Sequence, residues 1–377
     1  RRPKGFLFWF HVASIGEFKS IVPIIDYYLK KNQENNFLIT TITLTSFNEF
    51  KKKYGSNNRV YHQFLPYDFG FLINNFFKNW NPDIVSFVDS EIWPNFITKI
   101  KEKKIPFILL NARITKKSFL RWNVIKTFSS KVFGSFTLCM PSNKDSYDYL
   151  KILGAKNIKF FGNIKFCSVK ENLSPETHQF KSISHRKAWC AISTHANEED
   201  FCRKVHSMVK KSQKEILTII IPRHIHRVES IFSNLKDFGF KVQIKNENDS
   251  INNSVDFVLV NYYGAVSKYL KYFKQIFIGK SVQEKFKNSG GQNPIDAAKM
   301  GCHIYHGPYV YNFKDIYKYL NDFKMAEEVT DHTILTNKLL ENFKSNLEID
   351  NEKIKKLDFY SNEIFDKVLN EYNKFIT

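Results

Sequence analysis

At 377 residues the chain is too long for one ordinary hydrophobic core and implies two domains of about 150 to 200 residues each. Its hydrophobic content of 43% excludes an intrinsically disordered protein, and no apolar run reaches the ~18 residues that a membrane span needs. The formal net charge of +20 asks for a polyanionic partner: nucleic acid, an anionic membrane face or a phosphorylated substrate. Lys, Asn, Ile, Phe and Tyr are frequent together and the lysines are scattered, which a compositional drift also produces. The five cysteines form no CxxC pair, which argues against metal and redox motifs and suits a reducing cytosol.

Phe6 to Val12 is an apolar run broken only by His11, the pattern of a strand buried in a parallel sheet. Ser14-Ile15-Gly16-Glu17 turns the chain, and from Glu17 apolar residues recur at helical spacing through Ile21, Ile24 and Ile25. A buried strand, a short turn and a helix start make an α/β ligand site, because open sheets bind ligands beyond the carboxyl ends of their strands. Glu17 stands at that spot, and the rest of the chain reads as a cleft facing it.

Further strands are predicted at Phe37–Thr45 with a helix from Ser46, at Val60–Leu65, at Ile84–Val88 and at Ile105–Leu110. Asp89-Ser90-Glu91-Ile92-Trp93-Pro94 leads into a helix with Pro94 in its first turn. Thr137–Met140 precedes a helix over Ser142–Leu153. Short strands are expected within Gly154–Val169, where Gly162-Asn163 reads as the linker. In the second half, strands are predicted at Ala188–Ile192, Ile216–Ile221, Phe257–Val260, Gln275–Ile278 and Cys302–Tyr305. Glu198, Glu199 and Asp200 mark a helix start, and Ser289 to Pro294 opens a helix through Met300. Asn351–Ile376 reads as one amphipathic helix. The alternation predicts doubly wound parallel sheets, divided as 1–162, 163–350 and a terminal helix, 351–377, expected to pack back on the first domain.

Ser14 and Glu17 have the spacing of a helix capping box, which on spacing alone is the commoner explanation of Glu17. Glu91, just before a helix, is equally explained as an acid favoured by the helix dipole. Both nevertheless follow strands of one sheet, where two acids can serve as base and orienter in a group transfer. Ser193-Thr194, Arg223-His224 and Gly290-Gly291-Gln292-Asn293 follow strands or open a helix and offer donors to phosphate. Any α/β domain has such turns, but their coincidence in one half, with Lys165 at the linker, points towards a nucleotide.

The chain resembles the Kdo transferases, which attach 3-deoxy-D-manno-octulosonic acid to the lipid A precursor. The resemblance rests on FHVASIGE (10–17), HQFLPYD (62–68), SEIWPN (90–95), LNARITKKSF (110–119), LGAKNIKFFGNIKF (153–166), ISTHANEE (192–199), IPRH (221–224), GGQNPIDAAKMG (290–301) and GPYVYNF (307–313). It implies two Rossmann-like domains facing a cleft, the glycosyltransferase-B fold. It also implies an inverting transfer from CMP-Kdo to a lipid A precursor in the membrane, no metal or other cofactor, and no nucleic acid. The place implied is the cytoplasmic face of the bacterial inner membrane, bound to its anionic surface; the chain opens Arg1-Arg2-Pro3-Lys4, and an N-terminal anchor is expected to have been lost.

Carried over by motif, Glu17 would be the general base and Glu91 would help hold acceptor or donor sugar. Ser193, Thr194, Arg223 and His224 would bind the CMP phosphate. Gly290, Gly291 and Asn293 would shape the helix start beneath the nucleotide, with Asp296 and Asn312 nearby. Ser14, Gly16, Arg113 and Lys165 would line the substrate. The chain departs from the family at Gln292 for His, at Asp296 for Glu, and at Gly264-Ala265 for Gly-Glu; its loop between Gly279 and Gly290 is also longer. Those departures leave a transferase with another donor as the alternative. A basic nucleic-acid-binding protein is a second one, although no RNA- or DNA-binding module is recognisable.

Overall fold

The computed structural model describes residues 2–168, 180, 182–345 and 351–376. The chain divides into two compact units: unit 1 is Arg1–Val169 with Phe359–Thr377, and unit 2 is Lys170–Asp358.

Unit 1 holds a six-stranded parallel sheet of β1 (Leu7–His11), β2 (Asn36–Thr41), β3 (Val60–Phe64), β4 (Ile84–Val88), β5 (Phe107–Ala112) and β6 (Leu138–Pro141). Their order is β3-β2-β1-β4-β5-β6. Every residue of β1 is buried, because strands pack on both its edges and helices cover both faces. Trp9 shows how: its ring centroid lies 4.7 Å from Phe76, 5.3 Å from Phe87 and 5.6 Å from Phe96. The helices are α1 (Ile15–Lys31), α2 (Leu44–Tyr54), α3 (Gly70–Asn79), α4 (Pro94–Glu102), α5 (Lys116–Val124), α6 (Lys126–Phe133) and α7 (Lys144–Ile152). From β1 the chain winds outwards to β3, then crosses back to β4. β1 and β4 therefore flank the point where winding reverses, and ligands bind beyond the carboxyl ends there.

Unit 2 holds a seven-stranded parallel sheet ordered β13-β12-β11-β7-β8-β10-β9. Its strands are β7 (Ala188–Thr194), β8 (Leu217–Pro222), β9 (Val242–Lys245), β10 (Phe257–Val260), β11 (Gln275–Ile278), β12 (His303–His306) and β13 (Ala326–Glu328). Between them run α8 (Glu198–Lys210), α9 (Val228–Asp237), α10 (Ala265–Tyr272), α11 (Ile295–Lys299), α12 (Lys314–Asp322) and α13 (His332–Lys344). Here winding reverses between β7 and β11.

Several boundaries differ from the sequence reading, each for a local reason. The strand expected to run to Thr45 stops at Thr41, because Thr43 caps α2 by accepting from Ser46 N–H at 3.3 Å. The strands expected within 154–169 reduce to one bridge, Cys139 to Ile158, and a 3₁₀ turn at Ile164–Cys167. Gly162-Asn163 lies inside unit 1 rather than between units. Ile164 N–H donates to Asn111 Oδ1 at 3.0 Å and Ser361 Oγ to the Phe166 carbonyl at 2.5 Å, which ties this stretch down. The helix expected to open at Ser289 is only the five residues of α11. The terminal helix α14 (Asn351–Tyr372) belongs to unit 1 from Phe359 onwards. Tyr372 is buried against the sheet with its hydroxyl 2.6 Å from Ser86 Oγ, and Lys159 Nζ reaches Glu371 at 2.9 Å.

Candidate active site

Glu17 stands in the first turn of α1, which follows the end of β1 after Val12, Ala13 and Ser14, and the residue is 8% exposed. Ser14 caps the helix by accepting from Glu17 N–H at 3.3 Å, and its hydroxyl donates to Glu17 Oε1 at 2.8 Å. The other oxygen accepts from Ala13 N–H at 2.7 Å, one residue before the position a capping box uses. The cap is therefore real, and it aims the carboxylate back over the strand ends. Burial pushes this carboxyl up, the charges of Asp89 and Glu91 push it further, and the bonds from Ala13 and Ser14 offset only part, leaving it at about 7. A carboxylate that titrates near neutrality is matched to general-base work.

Glu91 has the opposite surroundings. Trp9 Nε1–H donates to Thr40 Oγ1 at 2.9 Å, and His11 Nδ1 lies 3.0 Å from that hydroxyl oxygen and 3.2 Å from the Thr40 carbonyl. On the other side of the ring His11 Nε2 faces Glu91 Oε2 at 3.2 Å, where a carboxylate can only accept, and Trp93 Nε1–H donates to the same oxygen at 2.9 Å. Burial would raise this carboxyl, but the bonds and charge from His11 and the bond from Trp93 outweigh it and hold Glu91 below the ordinary carboxylate value. One acid is thus kept ready to take a proton and the other kept charged.

Of the remaining residues expected in unit 1, Lys165 reaches the site and Gly16 lies exposed in the first turn of α1. Lys165 Nζ is 2.7 Å from Asp89 Oδ2. Arg113 is half-buried after β5 and its N–H donates to the Asp89 carbonyl at 3.0 Å. Asp89 is the residue that sequence reasoning missed. It ends β4 with φ 62 in the left-handed region, and only that turn swings its carboxylate towards Glu17 and Lys165. Standing two residues before Glu91, it gave no separate signal.

In unit 2 the ends of β7, β8 and β11 bring several expected residues together. Ser193 is half-buried with φ 54, and its carbonyl faces His195 Nδ1 at 3.1 Å. The His195 ring lies 5.8 Å from that of His224. Burial and the cations Lys280, His224 and Arg223 hold His195 below its ordinary value, against the bond to the Ser193 carbonyl. Arg223 and His224 are exposed on the turn after β8. This concentration of positive charge suits an anion. Thr194 does not join it: its side chain is buried and its hydroxyl donates to Glu199 Oε1 at 2.8 Å. Glu199 in turn takes both arms of Arg227 at 2.8 Å.

The glycine-rich stretch works differently from its expected role. α11 is too short for a developed helix dipole, so Gly290 and Gly291 act by close packing. A Cβ at Gly290 would lie 2.0 Å from the Tyr309 carbonyl, and Gly291 sits at φ +90. Asn312 closes the loop, its N–H donating to the Gly290 carbonyl at 2.9 Å and its Nδ2 to that of Ser289 at 2.8 Å. Asn293 Oδ1 accepts from Ile295 N–H at 3.1 Å, and Asp296 is half-buried within α11. Glu198, read from sequence only as a helix marker, accepts from the N–H groups of His195, Lys280 and Ser281 at 2.9, 2.6 and 2.8 Å. It locks the loops after β7 and β11 together.

Residues 1–168 match the family model described as 3-Deoxy-D-manno-octulosonic-acid transferase (kdotransferase). A 3-deoxy-D-manno-octulosonic acid transferase of Rickettsia typhi is 30% identical over 88% of this chain and 71% of its own length. A probable mitochondrial 3-deoxy-D-manno-octulosonic acid transferase of Arabidopsis thaliana is 29% identical over 84% and 72%. Among solved structures, a glycosyltransferase from Rickettsia africae superposes with a TM-score of 0.60 over 99% of both chains at 14% identity. That likeness, with the two parallel sheets, gives the fold class: α/β, two Rossmann-like domains of the glycosyltransferase-B type.

Proposed function

Because this chain belongs to the 3-deoxy-D-manno-octulosonic acid (Kdo) transferase family, we propose that it moves Kdo from CMP-Kdo to the lipid A precursor with inversion at the sugar carbon. The observation that carries the reading is the Glu17 carboxyl, held at about 7 beyond β1 by burial and by Asp89. Glu17 takes the proton of an acceptor hydroxyl as the oxygen bonds to the sugar carbon. The bond from that carbon to the CMP phosphate oxygen breaks at the same time, and CMP leaves with the electron pair. A single displacement of this kind needs one base on the acceptor side and charge stabilisation on the leaving side. Arg223 and His224 supply the latter, with the Ser193 turn and the Gly290-Gly291 loop shaping the nucleotide site. Glu91, kept ionised, orients hydroxyl groups of the sugars, and Lys165 adds positive charge at the acceptor side. No step requires a metal.

The acceptor's acyl chains stay in a bilayer, so unit 1 must reach one. Leu44, Phe64, Tyr67, Phe69 and Phe71 follow β2 and β3 and are exposed, Leu44 by 70% and Phe71 by 73%. Val124 and Phe128 lie beyond β5. Leu44, Phe64, Tyr67, Phe69 and Phe71 stand at the carboxyl ends of β2 and β3, the edge that carries Glu17. Lys116, Lys117 and Arg121 are exposed on α5, Lys51 and Lys52 are exposed in the last turn of α2, and Lys53 is paired with Asp26 at 3.0 Å. Apolar side chains ringed by lysine suit the headgroup region of an anionic membrane such as the cytoplasmic leaflet of a bacterial inner membrane.

Incubating the protein with lipid A precursor and freshly made CMP-Kdo, then weighing the lipid product, tests the assignment. A gain of one or more Kdo units is expected. Release of CMP without any gain, or the gain of a different sugar from another donor, overturns it.

A further inference from the structure

Asp89 is one of the most confined carboxylates of unit 1, and only half of it is satisfied. It is 6% exposed. Oδ2 accepts from Lys165 Nζ at 2.7 Å, while Oδ1 is buried and meets no hydrogen-bond donor among the described residues. A buried acceptor without a donor is destabilising, so its persistence asks for a reason. The backbone is also held in a conformation that side chains rarely adopt, with φ 62 at Asp89 and φ 54 at Asn111 on the neighbouring strand end. Both sides of this turn are fastened: Asp89 N–H donates to the Leu110 carbonyl and Arg113 N–H to the Asp89 carbonyl, each at 3.0 Å.

The placement supplies the reason. β1 and β4 are hydrogen-bonded neighbours with His11 opposite Phe87, so Glu17 and Asp89 leave adjacent strand ends at the reversal point of the sheet. We propose that Asp89 is a positioning residue for Glu17: it leaves the neighbouring strand end, is anchored by Lys165 through one oxygen and turns the other, unpartnered one into the buried space that the Glu17 carboxylate shares. Glu91 also faces Glu17, but its Oε2 is taken up by His11 and Trp93, which leaves Asp89 the stronger neighbour. From its own stretch the Glu17 carboxylate accepts from the Ser14 hydroxyl and the Ala13 N–H. Lys165 comes from the turn at Ile164–Cys167 and Arg113 from the segment after β5. A like charge beside a carboxylate disfavours its ionised form, and relieving it moves titration downwards.

This inference rests on the reading of Glu17 as the base only for its effect on turnover; the electrostatic link is measurable without turnover. Carboxyl carbon-13 NMR follows Glu17 through pH in the full-length protein, its signal identified as the one missing from Glu17→Gln. In the wild type the midpoint is expected at about 7. In Asp89→Asn it should fall by about one pH unit, while Asp89→Glu, which keeps the charge, should hold it near the wild-type position. The double variant Asp89→Asn/Lys165→Met removes the pair together, avoids a stranded lysine and should lower the midpoint too, by less than Asp89→Asn because a nearby cation goes with it. The acid limb of the kcat/KM profile should move with the NMR midpoint. A wild-type midpoint near the ordinary 4.5, or one unmoved in folded Asp89→Asn and in the folded double variant, overturns the proposal. If the midpoint moves but Glu17→Gln still transfers sugar, the base assignment fails and the link between the two carboxylates stands.

Discussion

His11 presents Nε2 to Glu91 Oε2 at 3.2 Å from a position fully inside the sheet. The bond is the last of a series that starts at Trp9 and passes through Thr40, so an acid at the site is oriented from the core of unit 1. Because His11 and Trp93 hold Glu91 below the ordinary 4.5, the folded state binds fewer protons than the unfolded state as pH falls. Its contribution to stability is present above that ordinary value and is lost as pH drops through the folded one. Glu91→Gln should therefore melt below the wild type at pH 7, and the gap should narrow as pH falls below 4.5. Thermal melts across pH check this; a gap that widens in acid contradicts the network.

In unit 2 two arginines four residues apart should fail differently. Arg227 is bound through both arms to buried Glu199, and removing one partner of a buried pair typically costs about 3–5 kcal/mol. Arg227 is partly exposed, so Arg227→Gln should fall at or below the lower end of that range. Arg223 is exposed, with no ion pair or hydrogen bond from its guanidinium among the described residues. Arg223→Gln should leave the melting temperature within a degree or so and raise KM for CMP-Kdo about tenfold, the loss of one charge-assisted bond. Equal effects of both substitutions on stability would contradict the assignment of Arg223 to the donor.

Much of this fold was legible because parallel strands buried on both faces are unbroken apolar runs. β1, β4, β8, β10 and β11 each announce themselves in that way. β9, with sequence VQIK, and β13, with AEE, do not, since they sit at the sheet edges and mix apolar with polar or charged residues; Lys245 of β9 is itself buried, its ammonium donating to the Asp249 carbonyl at 2.6 Å. At the site, motif likeness picked out Glu17 and Glu91, but the roles of Asp89 and Glu198 depend on where a turn aims them. A left-handed residue at a strand end leaves no periodic trace. Thr194 was misread for a related reason: a hydroxyl next to an anion-binding turn looks available until the buried Glu199 that accepts from it is seen.

Turnover is expected to survive chelation. Positive charge for the departing CMP is provided by Arg223 and the histidines around it, and no His, Cys or Asp spacing in the sequence matches a metal motif. Assays in EDTA check this directly. Activity that is lost there and restored by a divalent cation contradicts it.

Membrane contact through unit 1 has a specific signature. Replacing Tyr67, Phe69 and Phe71 together by Ser removes exposed apolar surface without touching the core, so the melting temperature should be unchanged. Vesicle sedimentation should weaken strongly. Replacing Lys51 and Lys52 by Gln should weaken binding only to anionic vesicles, by about 1 kcal/mol per charge, with the difference fading at high salt. Binding that ignores both lipid charge and the aromatic residues would leave this edge an ordinary solvated surface.

Glu17 carries two roles at once, cap and base, and one substitution separates them. In Glu17→Gln the amide oxygen can still accept from Ala13 N–H, and the amide N–H can donate to Ser14 Oγ, so the capping geometry survives. An amide has no useful affinity for the acceptor proton, and base catalysis contributes ~10²–10⁴-fold. Transfer should fall by that factor while CMP binding is kept. Stability adds a second, independent sign. The carboxyl is raised from 4.5 to about 7 by burial and by Asp89, so the folded state favours the protonated form. Relative to a group that stays neutral, Glu17 costs nothing below pH 4.5 and progressively destabilises the fold as pH rises towards 7 and beyond. Glu17→Gln should thus melt with the wild type at pH 4 and above it at pH 8, where the stability difference is on the order of 3 kcal/mol. The wild-type kcat/KM should decline below about 7 as the base takes up a proton. A variant that transfers Kdo at close to the wild-type rate would reduce Glu17 to a cap and make Glu91 the next candidate. A variant that is inactive yet melts below the wild type at pH 8 would mean that this carboxylate is stabilised where it stands, which the buried site between Asp89 and Glu91 does not allow.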